Sequence, residues 1–347
     1  MRTVFVTGGS GFVGGALLDA LAERGETARA LARSPAAEAA VAARGAVPVR
    51  GDLADLDAMT AGMRGAELVV HSGARLSGGW ADLDAFLRTN VDGSRTVLQA
   101  ARSAGVPRLV LVSTEQVVLG ERPLVDADET WPYPARWPGP YARTKAEAER
   151  LVLAASTPEL ATVAVRPRMV WGRGDTTLLP ALLAATRSGK LRWVDGGGHL
   201  TSTTHVRNAV EGILAAAERG RGGEPYFVTD GAPMPFREFA TGLLATQGVA
   251  APTDVVSGRV ARAVAGGAGA LWRLLPLPGR PPVDLTSVRL VGETCTLKDG
   301  RARRWLGYEG HVTREQGLAE LRSDRSHAGM PPTSRPSTGS AGPEGAG

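Results

Sequence analysis

Tyr141 and Lys145 stand four residues apart in Pro140-Tyr141-Ala142-Arg143-Thr144-Lys145, which puts both side chains on one face of a helix. A phenol, with a pKa of about 10, is a poor base at neutral pH. A neighbouring ammonium favours the tyrosinate and lowers that pKa. Such a pair can pass a proton to or from a substrate oxygen. Ahead of it, Leu109-Val110-Leu111-Val112-Ser113-Thr114 reads as a buried strand ending in two hydroxyls, and Thr114 can hold the same oxygen. Tyr-x-x-x-Lys recurs by chance on many helix surfaces, so its meaning depends on what positions it.

That positioning starts at the beginning of the chain. Val4-Phe5-Val6 reads as a buried strand and runs into Thr7-Gly8-Gly9-Ser10-Gly11-Phe12-Val13-Gly14, followed by the apolar-periodic helix Ala16 to Ala22. Gly8 permits a tight turn, Gly11 lets backbone approach a pyrophosphate, and Gly14 lets the helix pack close to the strand. The helix N-terminus offers free N–H groups and a positive dipole end to the anion. A phosphate cradle of this kind predicts a dinucleotide. With a nicotinamide bound there, whose oxidised form joins the ammonium in lowering the phenol's pKa, Tyr141 can exchange a proton with substrate oxygen while hydride moves at the neighbouring carbon.

Later strands and helices alternate. Strands are expected at Thr27–Ala32, Val47–Leu53, Leu68–His71, Leu109–Thr114, Val163–Pro167 and Pro225–Thr229; helices at Ala36–Ala43, Leu56–Met63, Val91–Ala104 and Tyr141 to about Ala155. The alternation predicts an α/β fold with a doubly wound parallel sheet (a Rossmann fold), followed by a smaller, discontinuous substrate region. On this reading residues 1–170 and about 200–229 bind the dinucleotide. About 171–199 and 230–322 bind substrate, and 323–347, rich in Ser, Pro and Gly, is a disordered tail.

Arg33 follows the second strand, where many NAD-binding folds carry an acid for the ribose 2′-OH; with Arg29 nearby it suits a 2′-phosphate, so NADP is favoured over NAD. Asp52, with Leu53 beside it, either accepts from the adenine amino group or caps the next helix. Ser72, Gly73 and Ala74 follow the fourth strand and face the ligand crevice. His71 is read as a packed strand-end residue rather than a catalyst. Helices are also expected at 178–188, 205–219, 236–247, 298–306 and 313–321. Ser257–Leu275 is apolar with arginines and three glycines, and reads as a membrane-surface helix, a pocket lid or an internal packing element.

Bulk composition narrows the partners. The chain has 347 residues, 43% hydrophobic and 22% charged, with a net charge of +5. The arginines are scattered among acids, so nucleic acid is not expected as a partner. One cysteine, Cys295, excludes an intrachain disulfide, and the five histidines lack metal-ligand spacing. No apolar run reaches membrane-spanning length and no secretory signal is read ahead of the first strand, so a cytoplasmic address is expected.

Taken together, Thr7-Gly8-Gly9-Ser10-Gly11-Phe12-Val13-Gly14, Gly51-Asp52-Leu53, Asn90-Val91-Asp92-Gly93, Val112-Ser113-Thr114, Tyr141-x-x-x-Lys145 and Arg166-Pro167-x-x-Val170-Trp171-Gly172 resemble the extended short-chain dehydrogenase/reductases, of the broad NAD-dependent epimerase/dehydratase family. The resemblance covers roughly residues 1–322. It implies Tyr141, Lys145 and Thr114 as catalytic residues, Asn90 supporting the active-site helix and a water, and Lys145 on the ribose. It also implies Pro167 and Val170 beside the nicotinamide, Ala74 beside the cofactor bridge, Ser113 among the cofactor-binding residues, and a homodimer. Nucleotide-sugar epimerases carry an arginine near the segment matching His205-Val206, whereas Leu200–Thr204 has none. The segments 223–230 and 303–308 are more similar to the 3β-hydroxysteroid dehydrogenase-like branch. Sugar 4,6-dehydratases have Thr-Asp-Glu where this chain has Thr114-Glu115-Gln116, and an amide cannot act as their base. Glu115 contacts substrate or caps local backbone.

The implied activity is hydride transfer between a nicotinamide and a secondary alcohol or ketone on an apolar, steroid-like or polyketide-like small molecule. A sugar-modifying epimerase or dehydratase is the alternative, and a non-catalytic cofactor sensor the third reading.

Overall fold

The computed structural model describes residues 2–274 and 285–328. Seven strands form its main sheet: β1 (Thr3–Thr7), β2 (Thr27–Ala32), β3 (Val47–Arg50), β4 (Leu68–His71), β5 (Arg108–Val112), β6 (Ala161–Pro167) and β7 (Pro225–Val228). Their order is β7-β6-β5-β4-β1-β2-β3, and every neighbouring pair is parallel. The inner strands are continuous apolar runs because both faces of a parallel sheet are covered. Val4, Phe5 and Val6 are wholly buried, as are Leu68, Val69 and Val70.

Helices α1 (Phe12–Glu23), α2 (Pro35–Ala42), α3 (Leu56–Met63), α4 (Gly93–Ser103) and α5 (Pro140–Ala154) connect the early strands. They are followed by α6 (Leu178–Arg187), α7 (Val206–Arg219), α8 (Phe236–Thr246), α9 (Gly258–Leu274), α10 (Leu285–Gly292), α11 (Gly300–Leu306) and α12 (Arg314–Ala328). Leu17, Leu21, Ile213 and Leu306, from α1, α7 and α11, cover one face of the sheet. Met59, Met63, Val97 and Val152, from α3, α4 and α5, cover the other. The strand order reverses between β1 and β4, which opens a crevice at their carboxyl ends.

A second layer caps that edge. Leu124–Ala127, Cys295–Leu297, Leu200–Thr201 and Met234–Pro235 pair into a small four-stranded sheet drawn from distant parts of the chain. Trp171, Leu179, Trp193, Phe239, Leu243 and Leu321 form a separate apolar cluster beside it, and Val194, Ala261, Ala265 and Val288 seat α9 against α10.

Several expected boundaries move. The third strand, expected to run to Leu53, ends at Arg50, where the chain turns at Gly51 toward the helix capped by Asp55. The strand expected to reach Thr114 ends at Val112, because Thr114 instead caps a 3-10 turn over Glu115–Val118, its hydroxyl accepting from Gln116 N at 3.3 Å. Asn90 was expected to open a helix. It lies inside one, in a π-helical turn over Leu87–Asp92 that leads directly into α4, and such turns are frequent at functional sites. The expected tail from Ser323 begins as helix, since α12 continues to Ala328; residues 329–347 lie outside the described residues, as does Leu275. Among the described residues no helix is long and apolar enough to cross a membrane.

Candidate active site

The loop between β1 and α1 is shaped by its glycines. Gly8 has φ +74°, a conformation that favours glycine, and a Cβ there would lie 2.7 Å from Gly73 N. A Cβ on Gly14 would lie 2.1 Å from Gly8 O, so only glycine lets α1 start this close to β1. Gly11 N donates to Gly8 O at 2.9 Å, closing the turn. No side chain caps α1, whose N-cap is Gly11, and its first N–H groups face the crevice free to meet an anion.

A cleft of about 1780 Å³ extends from this loop. That exceeds the roughly 300–1,000 Å³ of an ordinary small-molecule site and leaves room for a dinucleotide together with a second molecule. One end is walled by Arg33, Asp52, Leu53, Ser10–Gly14 and Ser72–Ala74; the middle by Ser113, Thr114, Tyr141, Lys145, Pro167 and Val170. Leu76, Trp80, Trp137, Met169, Ala265 and Leu290 also line it. The Ser113 hydroxyl is buried at this wall with no hydrogen-bond partner among the described residues, an orphan that a bound cofactor would satisfy.

Tyr141 and Lys145 do share the cleft face of α5, but their electrostatics differ from expectation. Burial pushes the Tyr141 phenol above its ordinary pKa, the Glu115 carboxylate pushes the same way, and a hydrogen bond with Thr114 opposes them. The expected lowering by Lys145 is absent. Lys145 Nζ donates to Val112 O at 2.7 Å, at the end of β5, and burial lowers its pKa to about 8 while Glu149 resists. The ammonium is therefore tied to the sheet.

Behind this face lies a buried polar network that the sequence did not reveal. Ser94 Oγ donates to Asn90 O at 2.6 Å, so it accepts from His71 Nε2 at 2.9 Å. Thr7 Oγ1 accepts from Gly73 N at 3.1 Å and therefore donates to His71 Nδ1 at 2.7 Å. This assigns a neutral imidazole with its proton on Nε2. Burial, with Lys145 nearby, lowers the His71 pKa to about 3. Thr7 was expected beside the cofactor. It is wholly buried outside the cleft wall, and reaches the cofactor loop through Gly73. Asn90 is likewise outside the wall: its amide bonds Arg75 N at 2.8 Å, Arg75 O at 3.2 Å and Thr144 Oγ1 at 3.0 Å, joining the π-turn to the active-site helix.

Glu115 reaches the wall beside Thr114, but its carboxylate is locked. Oε2 accepts from Thr114 Oγ1 at 2.7 Å and Oε1 from Arg168 Nη1 at 2.6 Å, both partners buried. Arg168 also donates to Thr201 Oγ1 at 3.1 Å and Leu290 O at 3.0 Å. Sequence reasoning missed Arg168, for which a strand-end arginine gave no local signal. Local capping falls to Thr114, not Glu115. Asp52 does not cap the following helix either: Asp55 does, accepting from Ala58 N at 2.9 Å, while Asp52 accepts from Ala54 N. Arg29 is spent on Gly62 O and Arg64 O, which leaves Arg33 exposed at the cleft.

A glycine cradle at the strand-order reversal, and a tyrosine and lysine facing one cleft, define an NAD(P)-dependent oxidoreductase of the extended short-chain type. Residues 5–257 match the 3-beta hydroxysteroid dehydrogenase/isomerase family, and the chain belongs to it. It is 50% identical over 322 residues to a 4-hydroxy-2-methyl-3-oxo-4-farnesyl-3,4-dihydroquinoline-1-oxide ketoreductase of Stigmatella aurantiaca, covering 93% of this chain and 96% of the relative. It is 39% identical to a 2-alkyl-3-oxoalkanoate reductase of Stenotrophomonas maltophilia, covering 92% and 98%. A solved double mutant of DesIV, the dTDP-glucose 4,6-dehydratase of Streptomyces venezuelae, with NAD bound, superposes with a TM-score of 0.73 at 27% identity, covering 95% and 98%. The chain transfers hydride between a nicotinamide and a secondary alcohol or ketone.

Proposed function

We propose that the chain is an NADP(H)-preferring ketoreductase acting on an apolar ketone with a polyketide-like or steroid-like frame. The observation that carries the reductive direction is the pair of relatives named as reductases of ketones, and the Tyr141 phenol at the cleft, whose pKa burial and Glu115 raise, is the proton donor available. Reduction needs a proton donor at the carbonyl oxygen. The cleft lining at Leu76, Trp80, Trp137, Met169 and Leu290 suits an apolar frame, and two relatives are named as reductases of ketones bearing farnesyl or alkyl chains.

Gly8, Ser10, Gly11, Phe12, Val13 and Gly14 would hold the pyrophosphate, Arg33 a 2′-phosphate, and Asp52 and Leu53 the adenosine. Ser72–Ala74, Ser113, Pro167 and Val170 would border the nicotinamide half. The bound nicotinamide supplies the hydride. Tyr141 gives its proton to the substrate oxygen, and Lys145, held by Val112 O, is placed to orient a ribose. Asn90 and Thr7 act behind the wall, the first through Thr144 and the second through Gly73. We assign residues 1–170 and about 200–229 to cofactor binding and the remainder to 322 to substrate. A cytoplasmic homodimer is the assembly we expect.

The DesIV likeness would suit a sugar dehydratase, but Gln116 lacks the base and Thr201–Thr204 are buried without an arginine for a diphosphate. The test is NADPH consumption across 2-alkyl-3-oxo acids, prenylated cyclic ketones and steroid ketones. Tyr141→Phe should lower kcat/KM by about 10²–10⁴-fold with cofactor affinity retained. Undiminished turnover in that variant would overturn the reading.

A further inference from the structure

Five buried side chains behind the cleft form one chain of hydrogen bonds. Thr7 and His71 are register partners at the carboxyl ends of β1 and β4. Ser94 lies in the first turn of α4, Asn90 in the π-turn and Thr144 on the tyrosine helix α5. None is more than 2% exposed, and none lines the cleft. The donors all run one way. Gly73 N–H is given to Thr7 Oγ1, the Thr7 hydroxyl to His71 Nδ1, His71 Nε2–H to Ser94 Oγ, and the Ser94 hydroxyl to Asn90 O, at 3.1, 2.7, 2.9 and 2.6 Å. From there Asn90 Nδ2 donates to Thr144 Oγ1 at 3.0 Å, and Thr144 gives its hydrogen to Pro140 O at 2.8 Å, in the first turn of α5.

Both ends of this chain reach the cleft wall. Gly73 belongs to the Ser72–Ala74 loop, and a Cβ on it would lie 3.1 Å from Thr7 Oγ1, so the loop sits directly on the chain's first member. The π-turn carries Arg88 and Thr89, which line the cleft. Asn90 also returns to the loop, binding Arg75 N at 2.8 Å and Arg75 O at 3.2 Å. Hydroxyls can swing about their bonds. An imidazole holds its acceptor and its donor at a fixed span in a flat ring, so the middle of the chain is its stiffest part.

We infer that His71 is a positioning residue, the joint through which the cofactor loop and the tyrosine helix hold one another in place. This rests on the dinucleotide reading of the cleft and not on the identity of the ketone. Without the ring's two bonds, Gly73 is free to shift with Thr7, and Asn90 with Ser94, so the loop and Tyr141 lose their registry together. Burial keeps the ring neutral, with its pKa lowered to about 3, so the bond directions hold across neutral pH. Lys145, whose charge acts the same way, is itself tied to Val112 O.

The experiment titrates NADPH and NADH by fluorescence, and follows ketone reduction and thermal melting, in wild type, Thr7→Val, Ser94→Ala, Thr7→Val/Ser94→Ala, His71→Phe and His71→Gln. Ser94→Ala should weaken the preferred dinucleotide about tenfold although Ser94 touches neither the cleft nor the loop, and kcat should fall with it. Thr7→Val should cost about as much. The double variant should also lose about tenfold rather than a hundredfold, because either change opens the same joint. His71→Phe, which keeps a ring and removes both bonds, should match the double variant. His71→Gln, whose amide carries an acceptor and a donor, should fall between it and wild type. The two hydroxyl variants carry the test even where His71→Phe fails to fold. Unchanged dinucleotide affinity in Ser94→Ala, multiplying losses in the double variant, or a lower melting temperature with affinity and kcat intact would each overturn the inference. A wild type that binds neither dinucleotide would strike the reading beneath it, and the inference with it. Equal turnover in Tyr141→Phe, with the affinity losses as expected, would strike the ketoreductase reading alone.

Discussion

The two ends of the cleft are built on different plans. The cofactor end is made of backbone and short loops close together in the chain: Gly8, Gly11 and Gly14 lie within one turn, and Ser72–Ala74 touches them across a single strand pair. The part we assign to substrate is made of side chains that sequence separates widely: Leu76 and Trp80, Trp137, Met169, Ala265 and Leu290. Backbone recognition leaves little latitude, because an anion needs N–H groups at fixed places. Side-chain walls can be recut one residue at a time, so related chains can share a cofactor and differ in the ketone they take.

If that contrast is right, substitutions at the two ends should fail differently. The largest effect is expected at Gly14→Val. A Cβ 2.1 Å from Gly8 O forces backbone to move, so NADP(H) affinity should fall by more than about 100-fold, as read by titration of bound cofactor. Affinity within twofold of wild type would show that the cradle does not grip the phosphates. Next comes Arg33→Asp, exposed at the same end. It should cut the NADP-to-NAD preference by on the order of 10–100-fold, the worth of a charge-assisted bond, while activity with NAD persists. An unchanged preference would make Arg33 a bystander. The smallest effect is expected at Gly266→Leu on α9, where an added Cβ meets nothing within 4 Å. KM for bulky ketones should rise about tenfold, with small ketones and cofactor affinity little affected. An equal effect on cofactor binding would erase the distinction between the ends.

The same contrast decides what the sequence made legible. The parallel sheet, the cradle and the Tyr141–Lys145 face follow from short-range patterns: apolar runs, glycine spacing and helical periodicity. The strand Leu68–His71 and the helix Leu56–Met63 stand where periodicity places them. The small four-stranded sheet was invisible because its strands are two to four residues long and find partners 33 to 171 positions away. The Tyr141 electrostatics were misjudged for a related reason. Helical spacing shows that Lys145 shares the phenol's face, but not that Val112 O takes its Nζ, nor that Arg168 delivers a carboxylate to Thr114. His71 could be read as a packed residue, yet its two bonds depend on Thr7 and Ser94, which local pattern does not connect to it.

Arg166 and Arg168 stand two positions apart at the end of β6. The first grips Glu149 on α5 at 2.6 Å and the second grips Glu115 at 2.6 Å, all four side chains buried. Together they rivet the tyrosine helix and the threonine turn to one strand, so neither can slide without stranding a charge away from water. The workbench on which the proton changes hands is thus stiff. We expect ketones of different outline to be accommodated where α9 and α10 reach the cleft, with Ala265 and Gly266 from the first and Thr286, Ser287, Arg289 and Leu290 from the second.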